Sequence, residues 1–504
     1  MDIPYLVRRA VSEHRDLSAV SCDGVTRTYA HLDRNARRLA NALTGLGLGA
    51  GDRVAVLLEN RLEYPEIDVA LAYAGLVRVA LNIRLAIEDF SYAIGDCGAR
   101  AIVSQASFDP IAAELAARHG LVWVRLDDED DCPEGAHPYH ATLEAARESA
   151  PAPGTLDGEL GWISYTSGTT GRPKGVMLTH SNLVQVAMNI MTELGAPTTA
   201  DSLLLLQPLS HGAGYFLLPY LFSGGHVHIM RRFDADRVVE LGIRERISTL
   251  KLVPTMLRDL VEASRVAPFS TIIYGAAPID RPTLERAMDR YGPVFGQLYG
   301  QSEAPMTITY LAKKDHQLDK PWLESAGRPW RTVPVEVAAS DGSLVEPGEP
   351  GEVVVGGPHV MRGYYGMPDR TAEVLRDGRL WTGDMAVRDE HGFIYLRGRR
   401  DQMINSGGFN IAPKEVEDVV AQYAGVREVV AVGVPHERWG QAVRVYVTPQ
   451  DGAHLTEQAL VEHCAPRLGF RQPRSVVVLD ELPRTAYGKV DRNGLEDARK
   501  RADR

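Results

Sequence analysis

The sequence predicts an α/β fold: a large N-terminal domain with layered βα subdomains and a small barrel-like part, then a small α+β C-terminal domain. Three observations predict it. Short apolar runs alternate with apolar residues at helical spacing through most of the chain. A Gly- and Pro-rich stretch at 342–357 separates short β runs. The segment after 399–401 carries its own set of strand and helix signals. Strands that alternate with helices favour a largely parallel sheet.

The elements follow in order. Over 29–48, Leu32, Ala36, Leu39, Ala40 and Leu43 recur at helical spacing. A turn at 49–52 leads to a strand at 54–58, and 64–74 reads as a second helix. Strands are expected at 101–104 and 122–126. The acidic run 127–131 precedes Cys132 and Pro133 and reads as a solvated loop, not a metal site. Small residues, Pro and Gly at 151–158 form a linker. Strands and helices alternate again over 203–273. Pro347, Gly348, Pro350 and Gly351 punctuate an antiparallel or barrel-like insert. Beyond the boundary come a Gly-rich turn, a helix at 413–423, strands at 429–434 and 444–448, and a helix at 457–468. The charged tail 499–504 is expected to fray.

Composition narrows the function. With 44% hydrophobic and 24% charged residues, the 504-residue chain is ordinary globular protein. Lys and Arg total 55 against 66 Asp and Glu, a net charge of −11. That sign excludes a globally basic nucleic-acid binder but allows a local basic pocket. Cys22, Cys97, Cys132 and Cys464 form no C-x-x-C pair, so they are expected to be isolated reduced thiols. The N-terminus lacks the apolar core of a signal peptide, and no run approaches the ~20 apolar residues of a membrane span. A cytoplasmic protein with no membrane partner is expected.

The most informative string is Tyr165-Thr166-Ser167-Gly168-Thr169-Thr170-Gly171-Arg172-Pro173-Lys174-Gly175, which follows a short apolar strand. Glycines let backbone N–H groups turn toward an anion, hydroxyls donate, and Lys174 adds a point charge. This is the composition of a phosphate cradle. It differs from the P-loop pattern, because Lys174 lies between Pro173 and Gly175.

This string resembles the phosphate-binding motif of the adenylate-forming superfamily: acyl- and aryl-CoA synthetases, peptide-synthetase adenylation domains and beetle luciferases. Further motifs of that superfamily follow in the expected order over nearly the whole chain. The resemblance implies that Thr166, Ser167, Gly168, Thr169, Thr170 and Lys174 bind ATP phosphates. It makes His211, in Gln207-Pro208-Leu209-Ser210-His211-Gly212-Ala213-Gly214, a residue that shapes the acyl site beside Tyr215. Gly275, Ala276 and Ala277 would wall the adenine. In Gln297-Leu298-Tyr299-Gly300-Gln301-Ser302-Glu303, Gln297 and Gly300 would border the nucleotide and Tyr299 would stack on adenine. Ser302 stands where Thr is usual and keeps the hydroxyl, and Glu303 would ligate Mg²⁺. Asp384 would accept the ribose hydroxyls, and Arg399 would contact ribose or phosphate.

In the same way Asp401 would be the hinge residue, and Lys489 would bridge carboxylate and α-phosphate. Gly407 and Gly408 would let a pantetheine arm pass the backbone. Arg84, Trp439, Phe470 and Arg471 fall where some aryl-CoA synthetases contact the CoA nucleotide, although Gln472 and Ala80 depart from the pattern. The implied domains are 1–399, binding ATP and carboxylate, and a mobile 400–504. The implied activity joins a carboxylate to CoA through an acyl-AMP, using ATP, Mg²⁺ and coenzyme A. The alternative acceptor is a carrier-protein thiol, an amine or another small nucleophile. Lys174, Glu303, Asp384, Arg399 and Lys489 together argue against a non-catalytic protein. The acyl pocket, near His211, Tyr215, Gly275, Gly300, Pro305 and Met306, offers no evident cation for a second carboxylate. An uncharged aryl or medium-chain acyl tail is therefore expected. A homodimer is common in the superfamily.

Overall fold

The computed structural model describes residues 1–127, 130–149, 156, 158–166, 173–406, 409–485, 490–492 and 494–502. Contacts divide the chain into two compact units, Met1–Val335 with Val355–Trp381, and Glu336–Val354 with Thr382–Arg504.

The first unit is built on two sheets of eight and nine strands. In the eight-stranded sheet, Arg53–Leu57 pairs in parallel with Val77–Ala80 and Ala101–Gln105. Val122–Leu126 and Leu160–Thr166 extend it on either side. Ala101–Gln105 is buried along its whole length, which is why its sequence reads as a continuous run and not as an alternation. The helix Tyr29–Gly45 buries Leu32, Ala36, Leu39, Ala40 and Leu43, the stripe its periodicity predicts. It stops short of 48 because the Leu46 N–H closes on Ala42 and Gly47 turns to φ 92°. Tyr64–Ala74 has the predicted bounds and ends on Gly75 in the left-handed conformation.

In the nine-stranded sheet, Ser202–Leu205, His226–Ile229, Thr249–Leu252, Thr271–Gly275 and Phe295–Tyr299 run parallel. Their carboxyl ends therefore open on one edge, where α/β sheets bind ligands.

In the second unit, the 342–357 stretch contains a turn in which Ala339 N–H donates to Ser343 O at 2.8 Å, followed by the strand Pro350–Val355. A separate sheet carries Ile404–Ser406, Phe409–Ile411, Val426–His436, Gly440–Pro449 and Ser475–Val478. Val426–His436 and Gly440–Pro449 form a long hairpin whose strands outrun the apolar cores predicted at 429–434 and 444–448. The helices Pro413–Val420 and Glu457–Leu468 pack Val416, Val420, Leu460 and Cys464 onto its apolar face. Residues 499–502 of the charged tail are helical where fraying was expected, and 503 and 504 lie outside the described residues. The helix Leu495–Ala502 is held by buried Leu495 and by Tyr446 Oη, which donates to Glu496 Oε1 at 2.8 Å.

Cys22, Cys97 and Cys464 are buried and Cys132 half-buried, all as free thiols. Burial pushes the Cys22 and Cys97 thiols up to about 11 and raises Cys464. Among the described residues, no helix is long and apolar enough to cross a membrane.

Candidate active site

The predicted phosphate loop joins two antiparallel strands. Leu160–Thr166 pairs with Lys174–Thr179, and the register sets Thr166 directly opposite Lys174. Ser167, Gly168, Thr169 and Thr170 lie outside the described residues. The strand Gly363–Tyr364 adds beside Lys174–Thr179, with Tyr364 opposite Val176. That pairing brings the Tyr364 ring within 5.0 Å of Lys174 Nζ. The Tyr364 hydroxyl donates to Glu303 Oε1 at 2.7 Å, and Met361 N–H donates to the Glu303 carbonyl at 2.8 Å. A cation, a phenol and a carboxylate thus stand in one chain beside the loop. The sequence reading missed Tyr364.

The loop carrying His211 is fixed from below. The Arg78 guanidinium donates to Leu209 O at 2.7 Å, pairs with Asp68 at 3.1 Å and lies over Trp162 at 4.2 Å. Asn60 donates to Gln207 O at 2.9 Å and accepts from Leu209 N–H at 2.8 Å. Gly214 must be glycine there, because a Cβ would lie 2.5 Å from Leu209 O. His211 Nδ1 meets Ser210 Oγ at 2.8 Å. Burial, then the charges of Arg78 and Arg84, hold its imidazole down at about 4, so the ring is neutral at pH 7. Tyr215 is buried against Trp162 at 5.1 Å between ring centres.

Gly275, Ala276 and Ala277 leave the end of Thr271–Gly275, and a Cβ on Gly275 would lie 2.4 Å from Leu298 O. Ala276 and Met306 both hold positive φ, 69° and 59°, which side chains other than glycine rarely adopt. Such backbone persists only where its surroundings enforce it, and it gathers at functional sites. Gln297 accepts from Tyr274 Oη at 3.1 Å. Tyr299, Gly300, Ser302, Glu303 and Met306 remain partly open to solvent, while Pro305 is buried. A Cβ on Gly300 would lie 2.5 Å from Met306 N. Arg84 is exposed on the turn that Asn82 caps at 3.1 Å.

The structure adds a cation to the acyl side that the sequence reading did not find. Lys251 is buried in Thr249–Leu252 and donates to Gln207 Oε1. A Cβ built on Gly212 would lie 3.6 Å from its Nζ and 3.2 Å from Met306 Cε. Its one signal in the sequence is a lysine inside the apolar run Leu250-Lys251-Leu252.

In the second unit, Asp384 lies opposite Arg399, whose Nη1 donates to Asp384 Oδ1 at 3.2 Å. Buried Glu352 accepts from Gly383 N–H at 2.7 Å and pairs with Arg400 at 2.6 Å, which fixes the turn before Asp384. Glu352 was also missed. Asp401 is exposed in a short turn, 3.9 Å from Arg399. Gly407 and Gly408 lie outside the described residues, as does Lys489. The hairpin Ile404–Ser406 and Phe409–Ile411 flanks the two glycines, and Ser406 pairs with Gly440 beside Trp439. Trp439 stacks on His436 at 4.2 Å, with Arg474 over it at 4.8 Å. Arg471 pairs with Glu415 at 2.7 Å next to exposed Phe470.

The donor set can be tested against the groups the resemblance implies. Backbone-tight glycines at 275 and 300, a lysine and a threonine side by side, and a carboxylate suit a nucleotide phosphate with its cation. Among the described residues, no group of three His, Cys, Asp or Glu could hold a metal by itself. A Mg²⁺ bound mainly through phosphate oxygens and water, with Glu303 as one ligand, fits that set. The aromatic and basic cluster around Trp439 fits a nucleotide end of CoA.

Comparison with known proteins gives the family. The AMP-binding enzyme family matches residues 7–365, and the AMP-binding enzyme C-terminal domain matches residues 415–489. A feruloyl-CoA synthase of Amycolatopsis sp is 38% identical, with 96% of each chain covered. Among solved structures, ATP-bound MatB of Rhodopseudomonas palustris is 30% identical with a TM-score of 0.89 and 100% of both chains covered. The amide bond synthetase McbA of Marinactinospora thermotolerans is 29% identical with a TM-score of 0.88, covering 98% of this chain and 99% of that one. The chain belongs to the AMP-binding enzyme family and is an adenylate-forming ligase of the acyl- and aryl-CoA synthetase kind.

Proposed function

We propose that this enzyme joins an aryl or medium-chain carboxylic acid to CoA in two steps. The carboxylate oxygen attacks the α-phosphorus of ATP, the α–β phosphoanhydride bond breaks and pyrophosphate leaves. The CoA thiol then attacks the acyl carbon of the acyl-AMP, loses its proton and displaces AMP. The observation that carries this reading is the chain Lys174–Tyr364–Glu303 beside the hairpin that closes at Thr166. A cation and a carboxylate joined through one phenol support the binding of a magnesium–phosphate group there. A Mg²⁺ held in part by Glu303 would neutralise charge on the departing pyrophosphate.

In this reading Thr166, Ser167, Gly168, Thr169, Thr170 and Lys174 hold the phosphates, and Lys489 draws carboxylate and α-phosphate together. Gln297, Gly275, Ala276, Ala277 and Tyr299 frame adenine, Ser302 contacts phosphate, and Asp384 with Arg399 takes the ribose. His211, neutral at working pH, packs against the reacting carboxyl without adding charge. Residues 400–504 turn about Asp401 between steps and bring Gly407 and Gly408 to the thioester-forming position. Trp439, Phe470, Arg471 and Arg84 receive the CoA nucleotide. The sequence relationship to a feruloyl-CoA synthase supports CoA as acceptor. The structural likeness to an amide bond synthetase favours a second reading, in which an amine takes the acyl group.

The test incubates pure protein with MgATP and a panel of aryl and aliphatic acids, with and without CoA, and follows products by mass spectrometry. CoA-dependent acyl-CoA from a related set of acids is expected. Acyl-AMP that accumulates and ignores CoA overturns the acceptor and directs the search to amines.

A further inference from the structure

One buried cation beside the candidate acyl site has no task in the chemistry above. All four residues of Thr249–Leu252 are buried, and Lys251 is 5% exposed. Its Nζ lies 5.3 Å from the centre of the Phe216 ring. Gly212 stands on one side and the Met306 thioether close by, so the amine sits directly behind the glycine that follows His211. Among the described residues no carboxylate pairs with it, and Gln207 Oε1 is its hydrogen-bond acceptor. A methionine or leucine would fill this strand position at less cost, because an amine in apolar surroundings loses its hydration. Lysine has two or three N–H groups according to its protonation, and Gln207 takes one. Among the described residues no second acceptor meets the amine, and Phe216, Gly212 and Met306 stand around it.

We propose that Lys251 reads the far end of the acyl group, donating a hydrogen bond to a neutral oxygen, such as a phenolic hydroxyl, on an aryl carboxylic acid. This rests on the ligase reading of the same site. The Phe216 ring, 5.3 Å from the amine, suits a flat ring as its neighbour. A neutral oxygen suits the amine better than a second carboxylate. The carboxylate would give up its full hydration for one cation that is itself poorly hydrated. Burial holds the amine down to about 7, so it donates in either protonation state near neutral pH.

The test uses the full-length enzyme with MgATP and CoA and reads kcat/KM from AMP release. The acids are 4-hydroxycinnamate, its near-isostere 4-methylcinnamate, and 4-carboxycinnamate. The wild type is expected to prefer the hydroxy acid over the methyl acid by about 10–100-fold, the worth of a hydrogen bond to a buried polar group. In K251M that ratio falls to near one. The wild-type comparison stands whether or not the variant folds. Turnover of both acids at a ratio near one overturns the role of Lys251 and leaves the ligase reading intact. A ratio that K251M retains, or preference for the dicarboxylate, does the same. No AMP from these three acids, with acyl-AMP formed from other acids of the wider panel, overturns the role of Lys251 alone; no acyl-AMP from any acid of that panel overturns both.

Discussion

Tyr364 gives its hydroxyl proton to Glu303 at 2.7 Å, across 61 positions of sequence. The same ring faces Lys174, so one buried side chain spaces the cation from the carboxylate. Y364F keeps the ring and frees Glu303 to move. The expected result is a rise of about 5–10-fold in the Mg²⁺ concentration needed for half-maximal pyrophosphate exchange, from the loss of roughly 1 kcal/mol of hydrogen bonding. Unchanged Mg²⁺ dependence would show that the phenol does not position Glu303.

Gly275 carries a second prediction. In G275A the new Cβ starts 2.4 Å from Leu298 O, a backbone atom that cannot rotate away. Forcing the strands apart costs about 1–3 kcal/mol. Lower thermal stability and weaker protection by AMP should appear together. Wild-type melting with normal AMP protection sinks this account.

Glu352 anchors the turn before Asp384 through Gly383 N–H and Arg400. E352A leaves a backbone donor without its partner, a loss of about 1–3 kcal/mol. A KM for ATP raised severalfold is expected, with the order of preference among carboxylates unchanged. A shift in acid preference alone would argue against a role at the ribose.

Stability should also depend on Lys251. The unfolded chain holds the lysine proton up to the ordinary 10.5, whereas the folded chain releases it at about 7. Between those values the unfolded state binds more protons, so stability rises with pH, and below about 7 this contribution is flat. Melting curves of wild type and K251M should therefore separate in wild type's favour from pH 7 to pH 9. Curves that stay parallel would mean that the amine is not held down by burial.

Lys489 completes the set. K489A is expected to abolish adenylation but to keep thioester formation from supplied acyl-AMP. Equal loss of both steps would remove Lys489 from its assigned place.

Local order was legible in the sequence because it is written in spacing. Tyr64–Ala74, Val122–Leu126 and Glu457–Leu468 have the bounds their periodicity predicts. The end of the first long helix was misjudged because Leu46 and Leu48 extend the apolar stripe past a backbone that has already turned. The helix over 499–502 was not legible because the charges there are plain in the sequence, whereas the contact between Tyr446 and Glu496 that holds it is not. Thr166, Lys174, Asp384 and Arg399 could be singled out in the sequence because they lie in short motifs. Tyr364, Glu352 and Lys251 were missed because each matters through a partner distant in the chain.

The four cysteines acquire a meaning if the proposed acceptor, the CoA thiol, is the substrate. Thiolate is the species that exchanges with disulfides, and burial keeps Cys22, Cys97 and Cys464 protonated and shielded. In that reading the three buried sulfurs would be poor partners for exchange with CoA or its disulfide. A maleimide dye added to the folded enzyme would report on Cys132, the half-buried one, and mark the first unit without touching the candidate site.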